Sequence, residues 1–309
     1  MTPPGSTVEA AAEALRAGRL VILPTETVYG LAADAANPHA VAAIFEAKGR
    51  PRFNPLIAHV TGFAAAEALA MLDARARALA QIFWPGPLTL VAPFRACAPV
   101  CDLARAGLDS VAIRAPAHPL ARQVLAAFCG PVVAPSANRS GRPSPTTFAD
   151  AVEETGFAAA AALDGGTCAV GLESTVVALL DDAPRLLRPG AVTREAIEAV
   201  IGPLAADVAE GHRSPGRLAL HYAPDAPVRL EAASGRSGEV LLGFGAVAGE
   251  PRFNLSPTGD LAEAAANLFA YLRAADRLKP AGIAVAPIPQ HGLGEAINDR
   301  LRRAAGFVG

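Results

Sequence analysis

The sequence has few cysteines, few aromatic residues and no excess of positive charge. Its four cysteines include one close pair, Cys97 and Cys101, but no second Cys/His pair lies near them, as a zinc site of recognisable spacing requires. This usage fits a reducing compartment and disfavours a disulfide-stabilised secreted domain. The 27 Lys and Arg against 29 Asp and Glu disfavour tight general binding to nucleic acid, although a local basic patch stays open.

Long apolar runs are missing as well. No run reaches the roughly 18 residues that a membrane-spanning helix needs, and the N-terminal segment lacks the basic stretch and apolar core of a secretory signal. We therefore expect a cytoplasmic protein that does not associate with membranes. The 309 residues, 52% of them hydrophobic, exceed what a single core usually reaches, which favours two folded domains.

Helical and strand patterns alternate along the chain, and this alternation predicts an α/β fold. Helices are predicted at 6–17 (opened by a capping box that starts at Ser6), 38–48, 69–83, 119–128, 193–200, 260–277 and 293–305. Strands are predicted at 19–24, 56–60, 88–94, 110–114, 131–134, 161–163, 174–180, 185–187, 239–243 and 282–286. The segment 203–227 is rich in Gly, Pro and Ala, and we interpret it as a linker between a first domain, 1–202, and a smaller α/β domain, 228–309.

Common nucleotide-binding and hydrolase motifs are absent. The chain has no Gly-x-x-x-x-Gly-Lys-Ser/Thr loop, no Gly-x-Ser-x-Gly elbow and no His-Glu-x-x-His pair. Gly243-Phe-Gly245 follows a predicted strand, but Pro251 interrupts the helix that a dinucleotide site requires, so we interpret this motif as a turn.

Cationic residues instead collect where predicted elements of the first domain end. Lys48, Arg50 and Arg52 cluster around Pro51 after a helix, and guanidinium groups suit phosphate oxygens while a lysine adds a point charge. Arg114 ends an apolar strand, where either a bound anion or a structural salt bridge explains it equally well.

A long polar loop follows the strand predicted at 131–134. Residues 134–146 combine serines, an asparagine and two arginines with three prolines, a composition too polar for a core and too rich in proline for a helix. Hydroxyls and turn amides in such a loop can all point at one anion, so the loop is a candidate cradle for phosphate or ribose. A solvated surface loop is the alternative.

The order of these motifs carries a resemblance to a known family. The chain reads Pro-Thr-Glu-Thr-Val-Tyr-Gly-Leu (24–31), Lys-Gly-Arg-Pro (48–51), Ser-Val-Ala-Ile-Arg (110–114), Ala-Pro-Ser-Ala-Asn-x-Ser-Gly (134–141), Glu-Ser-Thr-Val (173–176) and Arg-Pro-Gly (188–190). This series resembles the YrdC-type catalytic domain of threonylcarbamoyl-AMP synthase. Ser-Pro-Gly (214–216), His-Tyr-Ala-Pro (221–224), Asn-Leu-Phe-x-x-Leu-Arg (267–273) and Gly-Leu-Gly-x-Ala-Ile-x-x-Arg-Leu (292–301) resemble its longer, two-domain form. The implied fold is a twisted, open, mixed sheet flanked by helices, then a linker and a smaller Rossmann-like α/β domain.

The resemblance implies an L-threonylcarbamoyladenylate synthase, which is a nucleotidyltransferase. Its substrates would be L-threonine, bicarbonate or dissolved CO2, and ATP with Mg²⁺, and it would release pyrophosphate. The product would pass to the machinery that modifies the tRNA adenosine next to the anticodon. Direct binding of tRNA by this chain is left open, and no protein ligand for the metal is implied.

The resemblance also implies roles for individual residues. Those expected to bind L-threonine are Thr27, His59, Arg114, Ala134 and Ser174. Those expected to bind ATP are Arg50, Asn54, Ser110, Ser136, Ser144, Arg188 and Tyr222, with Lys48 and Arg52 as further phosphate candidates. Catalysis is expected from the positive charges of Lys48, Arg50 and Arg188 rather than from a protein nucleophile. Tyr222 would close over the nucleotide as part of a linker lid.

Three alternatives stay open beside these expectations. His59 is either a general base for the threonine ammonium or a hydrogen-bonding group, and we favour the second role. A carbamoyl-transfer enzyme of hydrogenase maturation would carry a cysteine-rich segment, which this sequence lacks. A non-catalytic RNA-binding module would need a dense basic surface, which the overall charge does not offer.

Overall fold

The computed structural model describes residues 5–51, 53–205, 221–247 and 251–306. Two sheets organise this part of the chain, one of nine strands and one of four, and helices pack against them. The α/β fold predicted from the alternating patterns is therefore confirmed. Arg52, the Ser-Pro-Gly motif at 214–216 and most of the predicted linker 203–227 lie outside the described residues.

The nine-stranded sheet belongs to the first part of the chain. Its strands are β1 (Leu20–Leu23), β2 (Gly30–Asp34), β3 (Ile57–His59), β4 (Leu88–Pro93), β5 (Ser110–Arg114), β6 (Val132–Val133), β7 (Ala159–Ala162), β8 (Thr175–Ala178) and β9 (Arg185–Arg188). They lie in the order β7, β1, β2, β6, β3, β5, β4, β8, β9. Neighbouring strands are parallel in three pairs and antiparallel in five, so the sheet is mixed, as expected.

Helices cover both faces of this sheet. They are α1 (Val8–Arg16), α2 (Pro38–Lys48), α3 (Phe63–Glu67), α4 (Ala74–Phe83), α5 (Asp102–Arg105), α6 (Pro119–Phe128), α7 (Phe148–Thr155) and α8 (Arg194–Ile201). Ile22 of β1 joins a core cluster with α2, whereas its neighbour Val21 joins a different cluster with α1 and α6. Consecutive strand residues point to opposite faces, so both faces of β1 are buried. Each such aliphatic side chain contributes roughly 1.5–3 kcal/mol on burial.

Helix α2 delivers the cationic loop. Asn37 caps its first turn by accepting hydrogen bonds from the amides of His39 and Ala40, and Pro38 fits the first helical position. Gly49 ends the helix in the left-handed conformation, at φ 58°, where glycine has no Cβ to clash. Lys48 is therefore the last helical residue and Arg50 the second residue of the loop.

Two helix boundaries differ from the sequence prediction. The first helix is capped by Thr7 and not by Ser6, because the Ser6 hydroxyl accepts a hydrogen bond from the amide of Ala162 instead. The helix predicted at 69–83 is wrong in its first part. Ala70 forms a β-bridge with Phe94, and Asp73 caps a separate helix, α4, by accepting from the Ala76 amide. Tertiary pairing thus overrides a helical sequence pattern at 69–73.

Six elements were not predicted. Helices α3 and α5 span only five and four residues, which is too short to produce a periodic signal. Strand β2 consists of glycine, alanine, leucine and aspartate without alternation, and is buried on both faces. Helix α7 follows the proline-rich loop and starts at Thr147, whose side chain accepts from the Asp150 amide. The two-residue strands β10 (Val228–Arg229) and β12 (Phe253–Asn254) are too short to produce a periodic signal.

The second domain is built on the four-stranded sheet. It contains β10, β11 (Glu239–Gly243), β12 and β13 (Gly282–Val285) in the order β10, β13, β11, β12, and all neighbours are parallel. Helix α9 (Leu261–Asp276) connects β12 to β13, and α10 (Leu293–Ala304) follows β13. Parallel strands joined through a helix define a Rossmann-like arrangement, as the resemblance implies.

The two domains share apolar surface. Val28 and Leu172 of the first domain belong to the same buried cluster as Leu268 and Phe269 of α9. Gly171 lies directly against α9, because a Cβ built there would stand 2.5 Å from the Ala266 Cα. Contact this close requires glycine and fixes the second domain against the segment that leads into β8.

A buried ionic cluster adds to the same interface. The Glu154 carboxylate of α7 lies 3.1 Å from the guanidinium of Arg273 on α9 and 3.2 Å from that of Arg142 in the polar loop. Arg273 also donates to the carbonyl of Pro143. Charges so deeply buried are stable only when paired, so the cluster ties the polar loop to the second domain. Within the described ranges, none of the helices combines the length and apolar character needed to cross a membrane.

Candidate active site

The largest concentration of predicted site residues surrounds one pocket. It is bounded by the loop that follows β1, by β3 with the residues before it, and by the ends of β5 and β9. The segments that follow β6 and precede β8, together with the residues at 221–222, complete its wall. All five residues expected to bind threonine line it: Thr27, His59, Arg114, Ala134 and Ser174. Of the seven residues expected to bind ATP, four line it: Arg50, Ser136, Arg188 and Tyr222.

Sheet register brings two of these residues together. Strands β3 and β5 are parallel, and their pairing places His59 directly beside Arg114. Paired residues of neighbouring strands carry their side chains on the same face of the sheet. Both side chains are almost fully buried, so the pair forms the floor of the pocket rather than its rim.

Arg114 is held by three partners. Its Nη1 donates to the Thr27 hydroxyl at 2.8 Å, its Nη2 to the Glu26 carboxylate at 2.6 Å and its Nε to the carbonyl of Gly86 at 3.2 Å. Glu26 also accepts from the amides of Ala117 and His118. Burial alone would raise the pKa of Glu26, but Arg114 and these amides outweigh it and hold the pKa below its usual value. Each terminal nitrogen of Arg114 keeps a second hydrogen for a ligand carboxylate.

His59 is neutral at physiological pH. Burial, and after it the nearby positive charge of Arg114, lowers the pKa of His59 to about 3. Its Nδ1 lies 3.1 Å from the carbonyl oxygen of Ile57, which only accepts, so we place the ring proton on Nδ1. Nε2 then presents a lone pair. An imidazole of such low basicity is poorly matched to removing a proton from an ammonium group, whereas it can accept a hydrogen bond.

Ser174 and Arg188 form a second fixed group. The guanidinium of Arg188 donates to the carbonyl of Ser174 at 2.9 Å and to its hydroxyl at 3.1 Å. The Ser174 hydroxyl also lies 2.8 Å from that of Thr89 on the neighbouring strand β4. Gly190 permits this arrangement, because a Cβ there would stand 2.5 Å from the amide nitrogen of Thr175. A threonine-binding and an ATP-binding candidate are thus in direct contact.

Lys48 lies beneath the polar loop. Its Nζ donates to the backbone carbonyls of Ser136 and Asn138, and the side chain is 3% exposed. Burial, and then the charge of Arg50, lowers the pKa of Lys48 well below its usual value. Lys48 is not among the pocket-lining residues, and it contributes to the site by fixing the backbone of the loop that carries Ser136.

Arg50 reaches the pocket directly. Its Nη2 donates to the carbonyl of Pro55 at 3.2 Å, while its buried Nε has no hydrogen-bond partner among the described residues. Burial lowers the pKa of Arg50 to about 10, which leaves it charged at neutral pH. Arg50 and Arg188 both donate to neutral carbonyls, which offset only part of a cationic charge. Positive charge therefore stays available to a bound phosphate.

Three residues expected to bind ATP do not line the pocket. Asn54 is buried next to the pocket-lining Pro55 in sequence, with its Oδ1 unpartnered in the described structure. Ser110 begins β5, four residues before Arg114. Ser144 is fully buried and donates to the Glu173 carboxylate at 2.5 Å. Ser144 thus stands behind the pocket-lining Glu173. The proposed contacts of Asn54, Ser110 and Ser144 with ATP stay predictions.

Residues near the C-terminal end of the predicted linker close one side of the pocket. Tyr222 is 1% exposed, adopts φ 63°, and lies with its ring centroid 3.8 Å from that of His221 and 5.3 Å from that of Phe269. The amide of the next residue, Ala223, donates to the carbonyl of Gly141 in the polar loop. Residues 221–223 therefore cover the pocket in this structure, although residues 206–220 of the predicted lid lie outside the described residues.

Sequence reasoning missed three residues in or beside the pocket. Glu26 lies within the Pro-Thr-Glu-Thr motif, and Glu173 within Glu-Ser-Thr-Val, so the motif boundaries pointed to both carboxylates without giving their partners. His221 lines the pocket beside Tyr222, and its Nδ1 is buried without a partner in the described structure. Burial, followed by the charges of Arg50 and neighbouring cations, lowers the pKa of His221 well below its usual value.

The pocket does not fit a metal ion held by protein ligands. Glu173 is the carboxylate that lines it, and its two oxygens already accept from Ser144 and Arg300. Elsewhere in the described ranges, no three His, Cys, Asp or Glu side chains converge in a way that could hold a metal.

Two models of known protein families match this chain. A family model of Sua5, YciO and YrdC proteins, described as "Telomere recombination", matches residues 13–190. A second, described as "Threonylcarbamoyl-AMP synthase, C-terminal domain", matches residues 192–306. The fold and the pocket are thus those of the YrdC class, extended by a second domain.

Individual relatives show to which family within the YrdC class the chain belongs. The threonylcarbamoyl-AMP synthases of Pyrococcus abyssi and Bacillus subtilis are each 40% identical to this chain, over 97% and 96% of it and over 94% and 92% of their own lengths. A crystal structure of P. abyssi Sua5 complexed with L-threonine superposes with a TM-score of 0.88 at 38% identity, covering 97% of this chain and 94% of that one. The chain belongs to the threonylcarbamoyl-AMP synthase family, in its two-domain form.

Proposed function

We propose that this protein makes L-threonylcarbamoyladenylate and pyrophosphate from L-threonine, bicarbonate or CO2, and ATP. One observation carries the proposal: the five residues expected to hold threonine and four of those expected to hold ATP line a single pocket. The related P. abyssi protein, crystallised with L-threonine, supports the amino-acid half of the assignment. Concave sites with a few convergent polar groups are usual for small substrates.

The proposed chemistry needs no protein nucleophile. The threonine amine adds to CO2 and loses a proton, which gives a carbamate. A carbamate oxygen then attacks the α-phosphorus of ATP, so that a new P–O bond forms. The bond between the α-phosphorus and the oxygen bridging to the β-phosphate breaks, and pyrophosphate leaves with that electron pair. Both reactants are anions, so the principal task of the site is to hold two mutually repelling groups in contact.

The side chains divide this task between two ends of the pocket. At one end the charged fork of Arg114 suits the threonine carboxylate, and Thr27 and His59 supply hydrogen-bonding groups beside it. At the other end Arg50 and Arg188 offer positive charge to the phosphates, and Ser136 offers a hydroxyl. Ser174 contacts Arg188 and adjoins the threonine set, so the reacting atoms would meet near it.

Magnesium enters the proposal only with ATP. The cation would be held by the phosphate oxygens and would add positive charge where pyrophosphate departs. The product would then be transferred to tRNA by separate proteins. Closure of Tyr222 over the nucleotide would exclude water from a mixed anhydride that hydrolyses readily.

A pyrophosphate-release assay tests this function. Purified protein with ATP and Mg²⁺ should release pyrophosphate only when threonine and bicarbonate are both present. Serine in place of threonine should give slower release, because one methyl group is worth about 1 kcal/mol in an apolar contact. Release that is independent of threonine or of bicarbonate would exclude the proposed reaction. Mass spectrometry of the product should give the mass of threonylcarbamoyladenylate.

A further inference from the structure

Arg300 is a residue of the second domain whose guanidinium contacts the first. It lies on α10, and its side chain is fully buried. Its Nε donates to the Glu173 carboxylate at 3.0 Å, and its Nη1 donates to the carbonyl of Pro189 at 2.9 Å. Its Cζ stands 5.4 Å from the centre of the Tyr222 ring, within the range of a cation–π contact.

Each of these contacts falls on the wall of the pocket or directly behind it. Glu173 and Tyr222 line the pocket, and Pro189 follows Arg188, which lines it as well. Gly190 continues this segment and packs against the backbone of 173–175. A displacement of Pro189 would therefore move both Arg188 and its partner Ser174.

Charge gives Arg300 a second role. Glu173 is ionised: burial would raise its pKa, but Arg300, then Arg188 and the hydroxyl of Ser144, outweigh burial and lower it. A carboxylate in the wall of an ATP site would repel the phosphates or draw Arg188 away from them. The Arg300 guanidinium offsets that charge from behind the wall, where it does not occupy the pocket.

From these contacts we propose that Arg300 is a positioning residue for the ATP-binding side of the pocket, acting through Glu173, Pro189 and Tyr222. The inference rests on the proposed function and extends it, since it assigns part of the nucleotide site to the second domain. Arg300 touches no substrate in this scheme. It aligns Arg188 and Tyr222 and neutralises Glu173.

The experiment compares four variants of the full-length protein. Arg300→Met removes the charge and all three hydrogen bonds, those to Glu173, Pro189 and Asp299. Arg300→Lys keeps the charge but cannot span Glu173 and Pro189 with a planar fork. The double variant Arg300→Met/Glu173→Gln removes both partners of the buried ion pair. Arg302→Met is the matched control, because Arg302 is exposed on the same helix and pairs with Gln290.

Two readouts separate positioning from a general loss of structure. Pyrophosphate release gives KM for ATP and for threonine separately, and calorimetry gives the affinity for a non-hydrolysable ATP analogue. We expect Arg300→Met to raise KM for ATP at least about tenfold while KM for threonine stays within about twofold, as for the loss of one charged hydrogen bond on the ATP side alone. Arg300→Lys should fall between Arg300→Met and the wild type, the double variant should recover part of the loss, and Arg302→Met should match the wild type.

Specific outcomes would overturn the inference. Wild-type ATP parameters in a folded Arg300→Met protein would do so, as would an equal loss for both substrates. If Arg300→Met does not fold, Arg300→Lys and the double variant decide the matter, since neither leaves Glu173 as an unpaired buried charge. Failure of the proposed function would look different: the wild type would bind the ATP analogue without threonine-dependent release, while the variants would still differ from it in analogue affinity.

Discussion

Replacement of Arg114 by methionine should separate what this residue does for binding from what it does for stability. Methionine has a similar reach and no charge. The change removes the donors to Thr27, Glu26 and the carbonyl of Gly86, which lie at 2.8, 2.6 and 3.2 Å. It leaves the Glu26 carboxylate with two backbone amide donors, those of Ala117 and His118.

Arg114→Met should lower the free energy of unfolding, because the buried Glu26 carboxylate loses its ion-pair partner. Removing one member of a buried ion pair costs about 3–5 kcal/mol, and the two amides that still solvate Glu26 place this case near about 3 kcal/mol. Loss of the charged contact to the threonine carboxylate costs about 1.5–3 kcal/mol, which is a drop in threonine affinity of about 10- to 150-fold.

A double variant, Arg114→Met/Glu26→Gln, separates the two effects. Glutamine at position 26 carries no charge that must be paired, so most of the lost unfolding free energy should return. Threonine affinity should not return, because the cation that would meet the carboxylate is still missing. The single variant should therefore lose both unfolding free energy and threonine affinity, whereas the double variant should regain most of the unfolding free energy and none of the affinity.

The measurements are urea unfolding followed by circular dichroism and threonine binding by calorimetry, on the wild type and both variants. Arg77→Met is a suitable control, because Arg77 forms an exposed ion pair with Glu67 and is not among the pocket-lining residues. Wild-type threonine affinity in Arg114→Met would refute the assignment of this residue. A double variant as unstable as the single one would show that the unpaired Glu26 carboxylate is not the cause of the instability.

Other substitutions and conditions test the remaining parts of the site. Arg50→Ala and Arg188→Ala should each weaken ATP use by about 1.5–3 kcal/mol, seen as a lower kcat/KM for ATP, and unchanged kinetics in both would contradict the ATP assignment. His59, with a pKa of about 3 when folded, should not titrate by NMR between pH 8 and 5. The unfolded chain binds a proton at His59 near pH 6.5 that the folded protein does not, so stability should fall by roughly 1.4 kcal/mol per pH unit below that value. His59→Gln should reduce this acid sensitivity in urea titrations at pH 7 and 5, and a His59 resonance that titrates near pH 6.5 would argue against it. Gly190→Ala should lower kcat/KM for ATP, because its Cβ would stand 2.5 Å from the Thr175 amide; an alanine variant with wild-type kinetics would show that the close packing is not needed.

Much of the fold was predictable because its signals are local. The boundaries of α2, α6, β5 and β11 agree with the sequence prediction, since proline at a first helical position and short apolar runs mark them clearly. The segment 69–73 was not predictable in this way. Its apolar pattern is helical, but the β-bridge between Ala70 and Phe94 joins residues far apart in sequence.

The candidate site shows the same contrast between local signals, which are predictable, and contacts between distant residues, which are not. Motif order indicated the residues that line the pocket, and all five of the threonine set do so. What the sequence could not give is the set of partners that hold them. Glu26 meets Arg114 and Glu173 meets Arg300 across 88 and 127 residues, and the second of these pairs exists only once the two domains are docked.

Val28 and Leu172 depend on the second domain for their burial, and this dependence has a consequence for related proteins that lack that domain. Both belong to the first domain, both are covered by the apolar cluster of the second, and Val28 also lines the pocket. Loss of the second domain, 228–309, would expose both side chains to water, and for Val28 this exposure would lie beside the pocket. We therefore expect relatives that lack the second domain to carry polar residues at these two positions more often than two-domain relatives do.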